Sequence, residues 1–378
     1  MGSGRCSVEC VGKMNFGDEL RESYRGSTAL ITGHTGFKGG WLALWLESLG
    51  AKVIGYSLEP PTNPSFFQKT GLSGRIEDIR GDVRDFAHIA KTVDKYRPDF
   101  VFHLAAQPLV RASYRNPRET FDINIMGTVN VLESLRLAGP PAICVCITSD
   151  KCYENREWDY AYRESDPMGG FDPYSASKGA AEIVIASYRK SLFARTGSKD
   201  GFALASARAG NIIGGGDWAE DRIVPDCVRA LAQGREITIR NPESVRPWQF
   251  VLDPLAGYLR LASAMKENPD RFSDSWNFGP YPSNSIDVRT LTEKIIREWG
   301  NGSWKYIPSE GAVHEAGILR LDITKAIHRL GWEPVYGIDQ AIRKTVEWYR
   351  NDLEGSADMY DFSLHQIVEY MHDADVMD

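Results

Sequence analysis

Tyr174 and Lys178 stand four residues apart, so a helix carries both on one face. Asp172-Pro173 just ahead of them reads as an N-cap followed by the proline favoured at the first helical position. A neighbouring ammonium stabilises phenolate and draws tyrosine from its reference pKa of about 10 toward the range of a general base. Alone, such a pair is usually a solvated helix face. Thr148-Ser149-Asp150-Lys151-Cys152-Tyr153, however, closes what reads as the fifth strand of a parallel sheet, and carboxyl ends of such strands are where ligands bind. Ser149 can hydrogen-bond a reacting hydroxyl, and with Tyr174 and Lys178 it suffices for alcohol oxidation. Asp150 and Lys151 are an additional acid and base beside that site, the pair needed to eliminate water from a transient ketone. The plainer alternative is an ion pair within the loop.

Gly33, Gly36 and Gly39 form G-x-x-G-x-x-G between the first strand and its helix. Glycines there allow a tight turn and close backbone approach, and the helix N-terminus offers free N–H groups to a pyrophosphate, so a dinucleotide is expected. The second strand, Val53-Ile54-Gly55-Tyr56-Ser57, lacks the acidic residue that would bind the adenosine ribose. No arginine follows immediately to meet a 2′-phosphate, which favours NAD over NADP. Asp82, in Gly81-Asp82-Val83, either accepts from the adenine amino group or is a solvated turn residue. His34 reads as a feature of the glycine turn and not as a catalyst.

The elements that must position these groups alternate. Strands are expected at 28–32, 52–56, 75–79, 100–104, 142–149 and 202–209, with helices after Phe37, near 85–96, over 118–138 and over 173–193. Buried strands alternating with helices imply an α/β fold, a Rossmann-type doubly wound parallel sheet. Past Gly210 the alternation is lost; helices over 288–299 and 338–349 belong to a smaller, partly interleaved C-terminal α/β domain. The expected division is an N-terminal tail over 1–23, a dinucleotide-binding domain over 24–209 and a mainly substrate-binding domain over 210–378, with segments returning to the first.

At 378 residues, with 42% hydrophobic and 25% charged residues, the chain has globular composition. Its net charge of −7 leaves no general positive field for nucleic acid or an anionic membrane, so anionic ligands need local clusters. Six cysteines are too few for a disulfide framework. Cys144, Cys146, Cys152 and Cys227 read as buried small hydrophobes, and Cys6 and Cys10 lie in the leading tail; no metal site is expected. No apolar run approaches the roughly 20 residues a bilayer requires, and the first 13 residues lack a signal peptide's apolar block, so a cytoplasmic location is expected.

With these pieces in place, the sequence resembles the extended short-chain dehydrogenases, the superfamily of NAD-dependent epimerases and dehydratases, and within it the CDP-D-glucose 4,6-dehydratases. The similarity runs from about Ser27 to Trp348. Its most telling blocks are TGHTGFKGGWL (32–42), HLAAQPLVR (103–111), ITSDKCYEN (147–155), YRESDPMGGFDPYSASKG (162–179), RAGNIIGGGDWAEDRIVPD (208–226) and RNPESVRPWQFVLDPL (240–255). The resemblance implies conversion of CDP-glucose to CDP-4-keto-6-deoxyglucose with NAD recycled each turnover. Tyr174 then takes the C4 hydroxyl proton, Ser149 orients, Lys178 holds the ribose, Lys151 if neutral removes the C5 proton, and Asp150 if protonated assists departure of the C6 hydroxyl.

It further implies cofactor contacts from Gly33, Thr35, Gly36, Phe37, Lys38, Gly39, Ser57, Asp82, Val83, Leu104, Ala105, Ala106 and Asn124, besides Tyr174 and Lys178. Substrate contacts are implied for Gln107, Arg111, Asn211, Trp218, Arg222 and Arg246; alone, these would read as surface arginines and a core tryptophan. Asp150-Lys151 stands where dTDP-glucose dehydratases carry Asp-Glu, while some UDP-sugar dehydratases share Asp-Lys. Phe250 departs from a histidine common in the family after Trp-Gln. A 4-epimerase would share Tyr174 and Lys178 without needing Asp150-Lys151, and a dinucleotide sensor would typically lack Tyr174 or Lys178. The long helices over 118–138 and 173–193 are ones that superfamily members commonly use for dimers, although apolar faces also pack intramolecularly, and a homodimer or homotetramer is expected.

Overall fold

A computed structural model describes residues 15–139, 142–193, 202–308 and 319–377. Strands β1 (Thr28–Thr32), β2 (Lys52–Ser57), β3 (Glu77–Arg80), β4 (Phe100–His103), β5 (Ile143–Ile147), β6 (Ala203–Arg208) and β7 (Ser275–Asn277) form one sheet. Its order is β7-β6-β5-β4-β1-β2-β3, and every neighbouring pair is parallel. Successive strand residues point to opposite faces, and both faces are buried. Leu30, Val101 and Cys144 pack with residues of the helices Phe86–Tyr96, Gly127–Ala138 and Pro173–Ser187. Ile31, Phe102 and Val145 belong to the larger core shared with α2 (Phe37–Ser48) and the helices Leu252–Glu267, Ile338–Glu354 and Met359–Met377. The strand order reverses between β1 and β4, and crevices at such a reversal, at the strands' carboxyl ends, are where open sheets take ligands.

Several expected elements shift in detail. Residues 16–23 of the expected tail lie in an amphipathic helix, α1 (Phe16–Tyr24), whose Phe16, Leu20 and Tyr24 face the core. Cys6 and Cys10 lie outside the described residues. The helix expected over 118–138 is Pro117–Phe121, a wider π-helical turn at Asp122–Met126, then Gly127–Ala138. A similar turn, Tyr188–Leu192, ends the helix of Tyr174 and Lys178. The third strand begins at Glu77 instead of Arg75. Cys144, Cys146, Cys152 and Cys227 are buried free thiols. Among the described residues no helix is long and apolar enough to cross a membrane, and no acid, His and Cys cluster could hold a metal ion.

Asp253, fully buried in Leu252–Glu267, joins three parts of the larger core. Its Oδ1 accepts from Val335 N at 2.8 Å and from Tyr370 Oη at 2.9 Å, and its carbonyl accepts from Trp332 Nε1 at 3.0 Å. Burial pushes the carboxyl up to about 7, only partly offset by these donors. Folded chains then bind a proton that unfolded chains release, so this contribution is full below about pH 4 and is lost as pH rises through about 7. The loss amounts to roughly 4 kcal/mol at about 1.36 per unit. Asp253→Asn cannot ionise and is expected to flatten the decline in melting temperature between pH 5 and pH 8. An undiminished decline would assign that dependence to other groups.

Candidate active site

The glycine turn is shaped by close backbone approach. Gly33 has φ +81°, and a Cβ there would sit 2.8 Å from Ala105 N; one on Gly39 would sit 2.1 Å from Gly33 O. No side chain fits at either position, leaving a bare cradle at the N-terminus of α2, where Gly36 is the cap. Thr35 Oγ1 and Ser57 Oγ lie 2.8 Å apart, tying the turn to the end of β2. Leu104, Ala105 and Ala106 follow β4 across the cradle, and Ala105 N donates to Thr32 Oγ1 at 3.2 Å. The buried Val83 meets Gly127 so closely that a Cβ there would be 2.7 Å from Val83 Cγ2. Asp82 is paired with Arg84 at 2.6 Å, and the bonds from Arg84 hold its carboxyl below the usual range. His34 is buried and bonds Asp78 at 2.9 Å, which suits a structural role in the turn. These residues fit a dinucleotide: an open backbone cradle, a helix N-terminus and small side chains.

Beside the cradle a cavity of about 380 Å³ gathers Phe37, Lys38, Ser149, Asp150, Lys151 and Tyr174. The catalytic helix is capped as its sequence implies: Asp172 Oδ1 accepts from Ser175 N at 2.9 Å, and Pro173 is the first helical residue. Ser149, at the end of β5, donates to Asp150 Oδ1 at 2.9 Å, and Lys151 N donates to the same oxygen at 3.0 Å. Asn211 Nδ2 donates to Asp150 Oδ2 at 3.3 Å. Asp150 and Lys151 form no ion pair among the described residues, so the plainer alternative does not hold. Lys178 is buried, with Nζ 3.4 Å from Ile147 O.

The charge balance at Tyr174 differs from expectation. Burial pushes its phenol up to about 12, while the Ser149 hydroxyl pulls it down, Asp150 pushes it further up and Arg222 pulls it down. Burial likewise pulls Lys178 down to about 8. Both groups are withdrawn from water, and desolvation outweighs the mutual stabilisation that their spacing suggests. Lys38 is pulled down to about 7 by burial and by Lys178 and Arg222.

Of the proposed substrate residues, Arg111, Asn211, Arg222 and Arg246 line the cavity. Gln107 and Trp218 do not. The Gln107 side chain is used locally, Nε2 donating to Thr120 Oγ1 at 2.9 Å and Oε1 accepting from Leu109 N at 2.6 Å. Trp218 packs edge-on against Tyr349, with ring centroids 5.0 Å apart. Asn124 is buried and links the Gln107 backbone to Ser177 on the catalytic helix, with Nδ2 2.8 Å from Ser177 Oγ. Phe250 is fully buried beside Tyr336, so the departure from histidine is a core substitution away from the cavity. Arg240 and Asp221 line the cavity without having been singled out. Asp221, at φ +60°, bridges Arg240 at 2.8 Å and Arg111 at 3.4 Å. Only the fold brings those three together, although Arg240 opens one of the resembling blocks.

Gly210 touches the acid directly, for a Cβ there would lie 2.1 Å from Asp150 Oδ2. Asn211 beside it sits at φ +51°, a left-handed conformation that non-glycine residues seldom adopt and that asparagine tolerates best. Gly210→Ala must displace the Asp150 carboxyl, and a displacement of about 1 Å costs roughly 100-fold in rate. The expected result is a loss of turnover on that scale with an unchanged melting temperature. Parental turnover would show that Asp150's position is immaterial.

Comparison with known proteins agrees with this geometry. Residues 30–345 match the family model described as GDP-mannose 4,6 dehydratase. The chain is 45% identical over 349 residues to a CDP-glucose 4,6-dehydratase of Salmonella typhimurium, covering 92% of this chain and 97% of that protein. Among solved structures it resembles a dTDP-glucose 4,6-dehydratase from Streptomyces venezuelae determined with NAD bound, at TM-score 0.72 and 22% identity over 86% of this chain and 99% of that one. It also resembles a UDP-glucose 4-epimerase from Thermotoga maritima, at TM-score 0.73 and 23% identity over 86% and 99% of the two chains. The glycine cradle, the parallel sheet and the match over most of its length together establish that the chain belongs to the GDP-mannose 4,6 dehydratase family.

Proposed function

We propose that the chain converts CDP-D-glucose to CDP-4-dehydro-6-deoxy-D-glucose and water, with NAD as its recycled cofactor. The observation that carries this reading is that Asp150 and Lys151 open into the same cavity as Ser149 and Tyr174. An epimerase has no use for that acid and base. The 45% identity to a protein named CDP-glucose 4,6-dehydratase supports the choice of nucleotide. Incubation with CDP-, dTDP-, UDP- and GDP-glucose without added reductant tests it: CDP-glucose is expected to lose one water. Conversion of UDP-glucose alone, without mass change, would make the chain an epimerase.

In this reading the cradle of Gly33, Gly36 and Gly39 and the N-terminus of α2 hold NAD, with Thr35, Ser57 and the Leu104–Ala106 segment around it. When bound, NAD supplies the oxidising power that takes hydride from C4 and returns it to C6. Tyr174 Oη receives the C4 hydroxyl proton, Ser149 Oγ orients that hydroxyl, and Lys178 supports the phenolate. The new C4 ketone acidifies C5–H, Lys151 Nζ takes that proton, Asp150 gives a proton to the leaving C6 hydroxyl, and Lys151 returns its proton to C5 as C6 regains hydride. Arg111, Arg222 and Arg246 meet the diphosphate, for which planar guanidinium groups make paired charged hydrogen bonds. Residues 24–209 serve the dinucleotide and 210–378 mainly the nucleotide-sugar. A cytoplasmic homodimer or homotetramer completes the proposal, supported by the exposed Met126, Leu137 and Ile183 along the long helices.

A further inference from the structure

Behind the cavity lies a buried ionic cluster that the mechanism above does not use. Glu182 and Arg208, each about 3% exposed, form an ion pair of 2.7 Å between the catalytic helix and β6. Glu182 also accepts from Thr148 Oγ1 at 2.5 Å and from Ser206 Oγ at 2.8 Å. Arg208 donates to Tyr153 Oη at 2.6 Å, and that hydroxyl donates to Asn277 Oδ1 on β7 at 2.7 Å. The attachments are specific in sequence. Thr148 precedes Ser149, Tyr153 follows Lys151 by two residues, Arg208 precedes Gly210 by two, and Glu182 lies one helical turn beyond Lys178. One carboxylate thus joins the two segments that carry the proposed catalytic groups, 148–153 and the helix of Tyr174 and Lys178, to the end of β6, which leads into Gly210 against Asp150.

We infer that Glu182 is a positioning residue for the proton-transfer centre: its carboxylate, bridged to Thr148 and Arg208, holds the Ser149–Lys151 segment in register with Tyr174 and Lys178 and supports the Lys178 ammonium. A buried ion pair is weak evidence of stability for its own sake, because desolvation offsets the attraction, so a gain in geometry is the more economical account of its presence. Around Lys178 the facing groups are Tyr174, one turn away, and Glu182 on its own helix, Cys146 on β5, Cys152 in the turn after β5, Lys38 in the glycine turn and His103 on β4. Burial lowers Lys178, and Glu182 is among the charges that raise it again. Loss of the Glu182 charge therefore makes the ammonium lose its proton at lower pH.

The inference rests on the proposed reaction, so the parental protein is measured first with CDP-glucose and NAD; failure there rejects the reaction and not the role of Glu182. Given parental activity, Glu182→Gln is expected to lower kcat at least ~10-fold with KM for CDP-glucose changed less than about threefold, as when an interaction acts on the reacting groups and not on binding. The alkaline limb of its pH profile should move to lower pH. Glu182→Asp keeps the charge but shortens the bridge, so it should lower kcat while leaving that limb in place. If Glu182→Gln does not fold, Thr148→Val, which cuts one strand of the bridge without leaving a charge unpaired, should still lower kcat at a near-parental melting temperature. Folded Glu182→Gln with parental kcat and parental pH profile would overturn the inference, as would parental kcat in Thr148→Val.

Discussion

Lys151→Met is expected to oxidise CDP-glucose and then stop, accumulating reduced nicotinamide and the 4-keto nucleotide without dehydrated product. Lys151 lies in the short 3-10 turn Asp150–Cys152, directly after Ser149, and lines the cavity. Its backbone N–H donates to Ser149 Oγ and Asp150 Oδ1, and methionine retains both bonds. The substitution keeps most of the length and apolar contact of the side chain and removes only the amine. Oxidation at C4 draws on Tyr174 and Ser149 and survives, whereas removal of the C5 proton loses its base, a deficit on the order of 100- to 10,000-fold. Stopped-flow absorbance of the nicotinamide with product mass analysis separates the two steps. Dehydration at the parental rate would reduce Lys151 to a loop cation.

Tyr174→Phe should act one step earlier, suppressing nicotinamide reduction itself by at least ~100-fold. The ring is 8% exposed, so phenylalanine fills the same space and the effect falls on the hydroxyl alone. Burial holds that hydroxyl at about 12, and the Ser149 hydroxyl and the positive charge of Arg222 pull the other way. Ser149→Ala is accordingly expected to reproduce part of the Tyr174→Phe defect. Single-turnover reduction of bound cofactor by CDP-glucose measures both variants; unchanged reduction in Tyr174→Phe would move the base elsewhere.

Features with a local physical cause were legible in the chain itself. The glycine turn needs close backbone approach at Gly33 and Gly39, the catalytic helix starts at an Asp-Pro cap, and β1 is an apolar run before the turn. What depended on distant partners was not legible. β7 is three residues long and joins the sheet only through β6, and Met359–Met377 is placed by packing against α1 and α2. Residue type gave no sign of the local partners of Gln107 and Trp218, whose side chains bond Thr120 and Leu109 and pack against Tyr349. The Tyr174–Lys178 spacing correctly put both on one helix, but it carried no information on burial, which pushes the Tyr174 phenol up against the expected direction and pulls Lys178 down.

The claim that one cofactor serves an oxidation at C4 and a reduction at C6 within a single cavity is tested most directly by CDP-glucose carrying deuterium at C4. With unlabelled NAD and no other reductant, the deuterium is expected at C6 of the dehydrated product, read by mass spectrometry and NMR. Deuterium lost to solvent, or collected in free reduced cofactor, would contradict it.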